Sequence, residues 1–144
     1  MLFRRLTVAA MFSGCLLSTA SAQSGAESSA RLFVELNSAE DVAGACRLTF
    51  MVKNETGQQI DGAVFETVIF DTEGGVLNLS LFDFRDLPAS RPRVRQFDLP
   101  NRTCDAVGQA LINGASSCVV DGFESDICDS TLTLNSRVEM ELLG

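Results

Sequence analysis

The sequence predicts an all-β fold: an antiparallel sandwich of two packed sheets with about seven strands, a small β-barrel being the alternative. Three observations carry this. Short apolar runs alternate with turn-forming Gly, Asn and Pro residues, no sustained helical period emerges, and the clearest runs repeat every second residue. With 144 residues, 46% of them hydrophobic, the chain holds one ordinary domain with enough apolar material for a core.

Residues 1–22 have the composition of a secretory signal peptide. Arg4 and Arg5 form the positive start, Leu6 to Leu17 an uncharged and mostly apolar stretch, and Ala20-Ser21-Ala22 a small-residue cleavage site before Gln23. The apolar stretch is too short to anchor in a bilayer. Two variants of the export reading stay open. The arginine pair could belong to a twin-arginine signal, and Phe12-Ser13-Gly14-Cys15 resembles a lipobox that would lipidate Cys15 and anchor the protein to a membrane. Residues 23–30 are small and polar and read as a flexible leader, leaving 31–144 as the domain.

Trimming residues 1–22 leaves nine basic and nineteen acidic residues, a net charge of −10. Such a surface repels nucleic acid and anionic lipid, so nucleic-acid binding is not expected. The trimmed chain keeps four cysteines, Cys46, Cys104, Cys118 and Cys128. An even number in an exported chain reads as two disulfides, which fits a periplasmic or secreted location. No C-x2-C pair is present, which argues against a four-thiolate zinc site.

Seven runs follow the leader. Arg31–Asn37 comes first. Ala45–Lys53 places Cys46, Leu48, Phe50 and Val52 on one face, and Asn54-Glu55-Thr56-Gly57 turns the chain. Gly62–Asp71 is apolar on both faces, with Val64, Val68 and Phe70 on one side and Ala63, Phe65 and Ile69 on the other; Thr72-Glu73-Gly74-Gly75 follows. Val76–Phe84 carries Leu77, Leu79 and Leu81 on one face. Arg93–Leu99 lies between Pro92 and Pro100. Ala106–Asn113 is rich in small residues that could also form a helical turn. Thr131–Leu142 alternates most clearly, with Leu132, Leu134, Val138, Met140 and Leu142 on one face, as a half-buried antiparallel strand requires. This set of short strands suggests an Ig-like sandwich, although the core Trp and corner Tyr of antibody-type domains are missing.

If each strand reverses the one before, Cys46 and Cys104 lie at one end of the sandwich and Cys118 and Cys128 at the other. The expected pairs are therefore Cys46–Cys104 and Cys118–Cys128.

The order of segments also resembles a known family. Val52-Lys53-Asn54-Glu55-Thr56-Gly57 precedes Val68-Ile69-Phe70-Asp71-Thr72-Glu73-Gly74-Gly75, with Leu87-Pro88 and Val94-Arg95-Gln96-Phe97 later. Over about residues 45–98 this is similar to bacterial FxLYD-type Ig-like domains, with Phe70 where that pattern prefers Tyr. The segments Gly44–Phe50, Leu81–Phe84 and Arg91–Pro100 also resemble small exported proteins of alphaproteobacteria that carry no assigned activity. The resemblance implies a sandwich fold and brings no catalytic residues.

Composition restricts the chemistry. There is no His, which removes the commonest base, the commonest metal ligand and every Ser-His or Cys-His pair. Neither an enzyme nor a cofactor is expected. The densest basic feature is Arg91, Arg93 and Arg95 at alternate positions. It reads either as a stripe that binds an acidic partner or as a solvated face paired with Asp83, Asp86 and Asp98. As a binding stripe it faces solvent, and replacing Arg91, Arg93 and Arg95 by Ala would weaken the partner contact and leave thermal stability nearly unchanged. Phe65 and Ile69 are either covered by the Leu81–Pro88 connection or form an apolar patch for a partner. A ligand- or Ca2+-binding loop is the alternative, from Asp121, Glu124, Asp126 and Asp129. The leading expectation is a non-enzymatic binding or accessory module that contacts another envelope protein through the arginine stripe, Phe65 and Ile69, or an exposed sheet edge.

Overall fold

The computed structural model describes residues 29–144. The expectations placed on the signal segment, on Cys15 and on residues 23–28 of the leader lie outside the described residues.

The fold is an all-β sandwich. One sheet contains β1 (Arg31–Val42), β2 (Ala45–Glu55), β5 (Arg93–Pro100) and β8 (Leu132–Ser136), in the order β5-β2-β1-β8. The other contains β3 (Ile60–Phe70), β4 (Val76–Leu87), β6 (Gln109–Val120), the two-residue β7 (Phe123–Glu124) and β9 (Glu141–Leu143). Its order is β4-β3-β6-β7, with β9 also beside β6. Each sheet ends in edge strands, so the barrel alternative does not hold.

Alternation builds the core. Cys46, Leu48, Phe50 and Val52 of β2 are all buried, as their period of two requires. They face Phe65 and Ile69 of β3 and Phe82 and Phe84 of β4 across the interior. Phe50 is the hub of an aromatic cluster: its ring lies 5.5 Å from Phe84, 5.9 Å from Phe97 and 6.1 Å from Phe82, each time edge-on. Edge-to-face packing of this kind adds to the area that the rings bury.

For Phe65 and Ile69 the reading of internal cover holds, with Phe84 of the Leu81–Pro88 segment against Phe65. Phe65 and Ile69 do not form an exposed patch. They are 1% and 0% exposed, and Phe65 packs edge-on against Phe84 at 5.5 Å. In β4 the core face is Phe82 and Phe84, whereas Leu79 and Leu81 point to solvent at 55% and 61% exposure.

The last run keeps its alternation but is not one antiparallel strand. It breaks between Ser136 and Glu141 and changes sheet. β8 pairs parallel to β1, with Val34 opposite Leu134, and β9 pairs parallel to β6. The Ser136 hydroxyl spans the break by donating to the carbonyls of Val138 (3.1 Å) and Met140 (2.6 Å). The sixth run begins later and extends further than expected, and a 3-10 turn at Cys104–Ala106 precedes it.

The disulfides are Cys46–Cys104 and Cys118–Cys128. The first ties the start of β2 to the segment after β5. The second ties β6 to the short helix α1 (Ile127–Ser130).

Asn54 is a buried polar staple. Its amide donates to the carbonyls of Gln58 and Leu87, both at 2.7 Å, and its side-chain oxygen accepts from the Thr56 amide and hydroxyl. The β2–β3 turn and the end of β4 are thereby held by one side chain. Asn54→Ala removes the buried bond to the Leu87 carbonyl and leaves Gln58 its longer contact with the Thr56 hydroxyl (3.4 Å), and is expected to cost about 1–3 kcal/mol, measurable by urea denaturation.

Candidate binding surface

β4 has a neighbour on one side only among the described residues, namely β3. Burial of Phe82 and Phe84 fixes its parity and forces Leu79 and Leu81 outward. The regular pairing with β3 places Val68 opposite Leu79 and Glu66 opposite Leu81. Near the far end the strand bends. The Arg85 backbone adopts φ 60°, and its amide donates to Asp83 Oδ1 at 2.8 Å. The pairing shifts register at this point. The stretch Val76–Phe82 has no charged side chain and a high aliphatic content; a bulge at Leu77, whose carbonyl accepts from Arg102 at 3.3 Å, marks its start and Asp83 marks its end.

The outer face of this sheet carries an apolar row perpendicular to the strands. Leu79 lies opposite Val68, Val68 opposite Leu111, and Leu111 opposite Leu143. Four strands at the usual spacing make this row about 14 Å long. Sequence reading missed it, because the row exists only once register is known. A partial signal was available in the two-sided apolarity of β3.

The arginine stripe lies elsewhere and does not face solvent as expected. Arg93 and Arg95 share the inward face of β5 with Phe97 and Leu99. Arg95 Nε donates to the Phe84 carbonyl at 2.6 Å and its Nη2 to the Asp86 carbonyl at 3.0 Å. Arg93 and Arg95 each approach the Asp86 carboxylate at 3.5 Å. These two arginines close the sandwich by holding the end of β4 onto β5. Arg91 precedes the strand and is exposed. Arg95→Ala is therefore expected to cost about 1–2 kcal/mol, because it removes charged donors from backbone carbonyls. Arg91→Ala should change the melting temperature very little. Parallel thermal melts of the two variants check this, and equal melting temperatures would contradict it.

Two cross-strand ion pairs brace the outside of the β1–β2–β5 sheet. Arg47 holds Asp98 bidentately at 2.7 and 2.9 Å, and Arg31 holds Glu55. The hydrogen bonds from these guanidinium groups keep the Asp98 and Glu55 carboxyls below their ordinary values. A depressed folded value means that each pair stabilises the fold above the ordinary carboxylate range near pH 4, and that this contribution is lost as pH falls through the lower folded values. The Asp98→Asn variant should therefore lose less stability than the parent between neutral pH and acid, as followed by melting temperature across a pH series. Both pairs are exposed, so the effect is small.

The acidic loop residues are not assembled into one site. Glu124 accepts from the Ser117 hydroxyl and the Cys118 amide, both at 3.1 Å, and Asp129 accepts from the Ala115 amide at 2.8 Å. Among the described residues no three His, Cys, Asp or Glu side chains converge as metal ligands. An open cleft of about 490 Å3 lies near the first disulfide, where Val107, Val138 and Met140 meet Asp105 and Glu139.

Against this geometry, comparison with known proteins locates the fold. The solved structure of IrmA from Escherichia coli is similar to this chain, with a TM-score of 0.54 and 11% sequence identity, over 73% of this chain and 91% of IrmA. At such identity the likeness concerns the fold alone. No family model and no curated protein sequence matches the chain. The FxLYD resemblance thus has no family match behind it, and of its implications only the two-sheet sandwich is seen in this chain. The two disulfides are consistent with an oxidising compartment.

Proposed function

We propose that this protein is an exported, non-catalytic binding module that contacts another envelope protein by accepting one of its strands at the β4 edge. One observation carries the reading. β4 is a twelve-residue edge strand whose first half exposes Val76, Leu79 and Leu81 at 65%, 55% and 61%. Edge strands are normally blunted by Lys, Pro, bulges or brevity. Val76–Phe82 has no charge and no proline of its own; a bulge at Leu77 and the Arg102 guanidinium, which donates to the Leu77 carbonyl at 3.3 Å, blunt its start, so the open stretch is Asn78–Phe82. An extended segment of a partner gains main-chain hydrogen bonds at such an edge and side-chain contacts with its outward residues. The absence of His, the signal-like residues 1–22 and the even cysteine count support an exported recognition role over a catalytic one.

The arginine stripe is the weaker candidate surface, since Arg93 and Arg95 are engaged with Asp86 and the β4 carbonyls. The test is retention of envelope proteins on the immobilised mature domain. A Leu79→Asn/Leu81→Asn variant should lose the retained protein while keeping its melting temperature, and Val94→Asn on the opposite sheet should retain it. Loss with Val94→Asn alone would overturn the assignment.

A further inference from the structure

We infer that the β4 edge selects a particular partner chemistry: an extended protein segment whose outward side chains run cationic, aliphatic, aliphatic. This rests on the strand-addition reading above and specifies what the added strand must carry.

The five strands of the sheet that contains β4 carry Asp61, Glu66, Asp83, Asp86, Glu124 and Glu141; Arg85 is their single cation, and Arg102 reaches the Leu77 carbonyl at 3.3 Å from the segment after β5. Asp86 is occupied by Arg93 and Arg95 of the opposite sheet. Asp83, Glu66 and Glu141 remain around the apolar row on the outward face. Glu66 sits one register step from Val68, beside Leu81. Asp83 sits one step further, beside Val64. Glu141 lies opposite Gln109 on the other flank. The row of Leu79, Val68, Leu111 and Leu143 is thus an apolar band between carboxylates.

Register then converts charge into sequence preference. A strand added antiparallel to β4 places successive outward side chains opposite Asp83, Leu81 and Leu79, at cross-strand distances of about 5 Å. Aliphatic residues opposite Leu79 and Leu81 extend the apolar row by one strand. Lys or Arg opposite Asp83 meets an opposite charge, and Asp or Glu there meets a like charge. The bend at Arg85 ends regular pairing just beyond Asp83, so the cation marks the start of the added segment and fixes its register.

The same charges exclude other occupants. Two copies of this chain meeting face to face would bring their Glu66, Asp83 and Glu141 carboxylates together, and two copies paired antiparallel through β4 would set Asp83 opposite Leu77 and leave it without a cation. Anionic lipid is repelled by the acidic excess, a net charge of −8 for the full sequence and −10 without residues 1–22. A cationic and aliphatic protein segment has neither conflict.

The probe is a pair of short, terminally blocked peptides on a threonine background, one with the outward series Lys-Leu-Leu and the other Glu-Leu-Leu. Binding to the oxidised mature domain is measured by fluorescence anisotropy. The Lys peptide should bind about five- to tenfold more tightly than the Glu peptide, and the difference should shrink in high salt. Asp83→Asn keeps the acceptor used by the Arg85 amide and should abolish most of the discrimination. Leu81→Asn should weaken both peptides. Equal binding of the two peptides would overturn the charge selection and leave strand addition standing. Binding of neither, or binding unaffected by Leu81→Asn, would overturn both.

Discussion

Replacing Cys46 and Cys104 together by Ser lowers the unfolding free energy by about 4 kcal/mol and the melting temperature by roughly 15 °C. The link spans 58 residues, so its loss returns the entropy of a long loop to the unfolded chain. It also frees the first residue pairs of β2 from the segment that follows β5. The Cys118–Cys128 link spans 10 residues and should give less, about 2.5 kcal/mol in the same model. Calorimetric or urea unfolding of both double variants measures the order. A larger loss from the shorter loop would show that strain or residual structure, rather than loop length, sets the stabilisation. Stabilities of ordinary domains are about 5–15 kcal/mol, so the first variant loses a large share of the total.

Phe50→Ala should be comparably damaging, at about 4 kcal/mol. Phe50 is fully buried and meets three other rings, one from β5 and two from β4. Truncation leaves a cavity at the place where the two sheets are joined, and the strands cannot collapse into it without breaking register. Phe50→Leu fills part of that space and should cost less than half as much. Leu81→Ala provides the contrast: it removes an aliphatic side chain from the exposed face and should stay within about 0.5 kcal/mol of the parent. A loss above that would mean that Leu81 has an intramolecular role and is not held for a partner.

These contrasts show which features were legible in the sequence. β2 was, because Cys46, Leu48, Phe50 and Val52 bury one face and the alternate residues leave no ambiguity. Disulfide pairing was as well, because strand parity places each pair at one end of the sandwich. β3 and β4 were not. β3 is apolar on both sides, so periodicity cannot tell Phe65 and Ile69, which fill the core, from Val64 and Val68, which face outward. In β4 both Leu79/Leu81 and Phe82/Phe84 could have faced inward, and the larger aromatic area decided it.

The last strand shows a different limit. Alternation from Leu132 to Leu142 was correct at each position, but a period of two records side-chain direction and not continuity. The chain could therefore break at Ser136 and change sheets without disturbing the pattern. The arginines misled for a related reason. At alternate positions Arg93 and Arg95 share the face of Phe97 and Leu99, so their side chains enter the mouth of the sandwich and meet the β4 carbonyls. Long side chains with an aliphatic stem can occupy such a site while keeping their charge hydrogen-bonded. The candidate binding surface itself needed the register of four strands. Leu79, Val68, Leu111 and Leu143 are far apart in sequence, and pairing alone brings them into one row.

The most direct measurement places a photo-reactive amino acid at position 81 or at position 94 and irradiates intact cells. Leu81 and Val94 are aliphatic and almost equally exposed, at 61% and 59%, but lie on opposite sheets. If the β4 edge accepts a partner strand, a discrete cross-linked species forms from position 81 and not from position 94. Cross-linking from position 94 alone, or equally from both, would contradict the account.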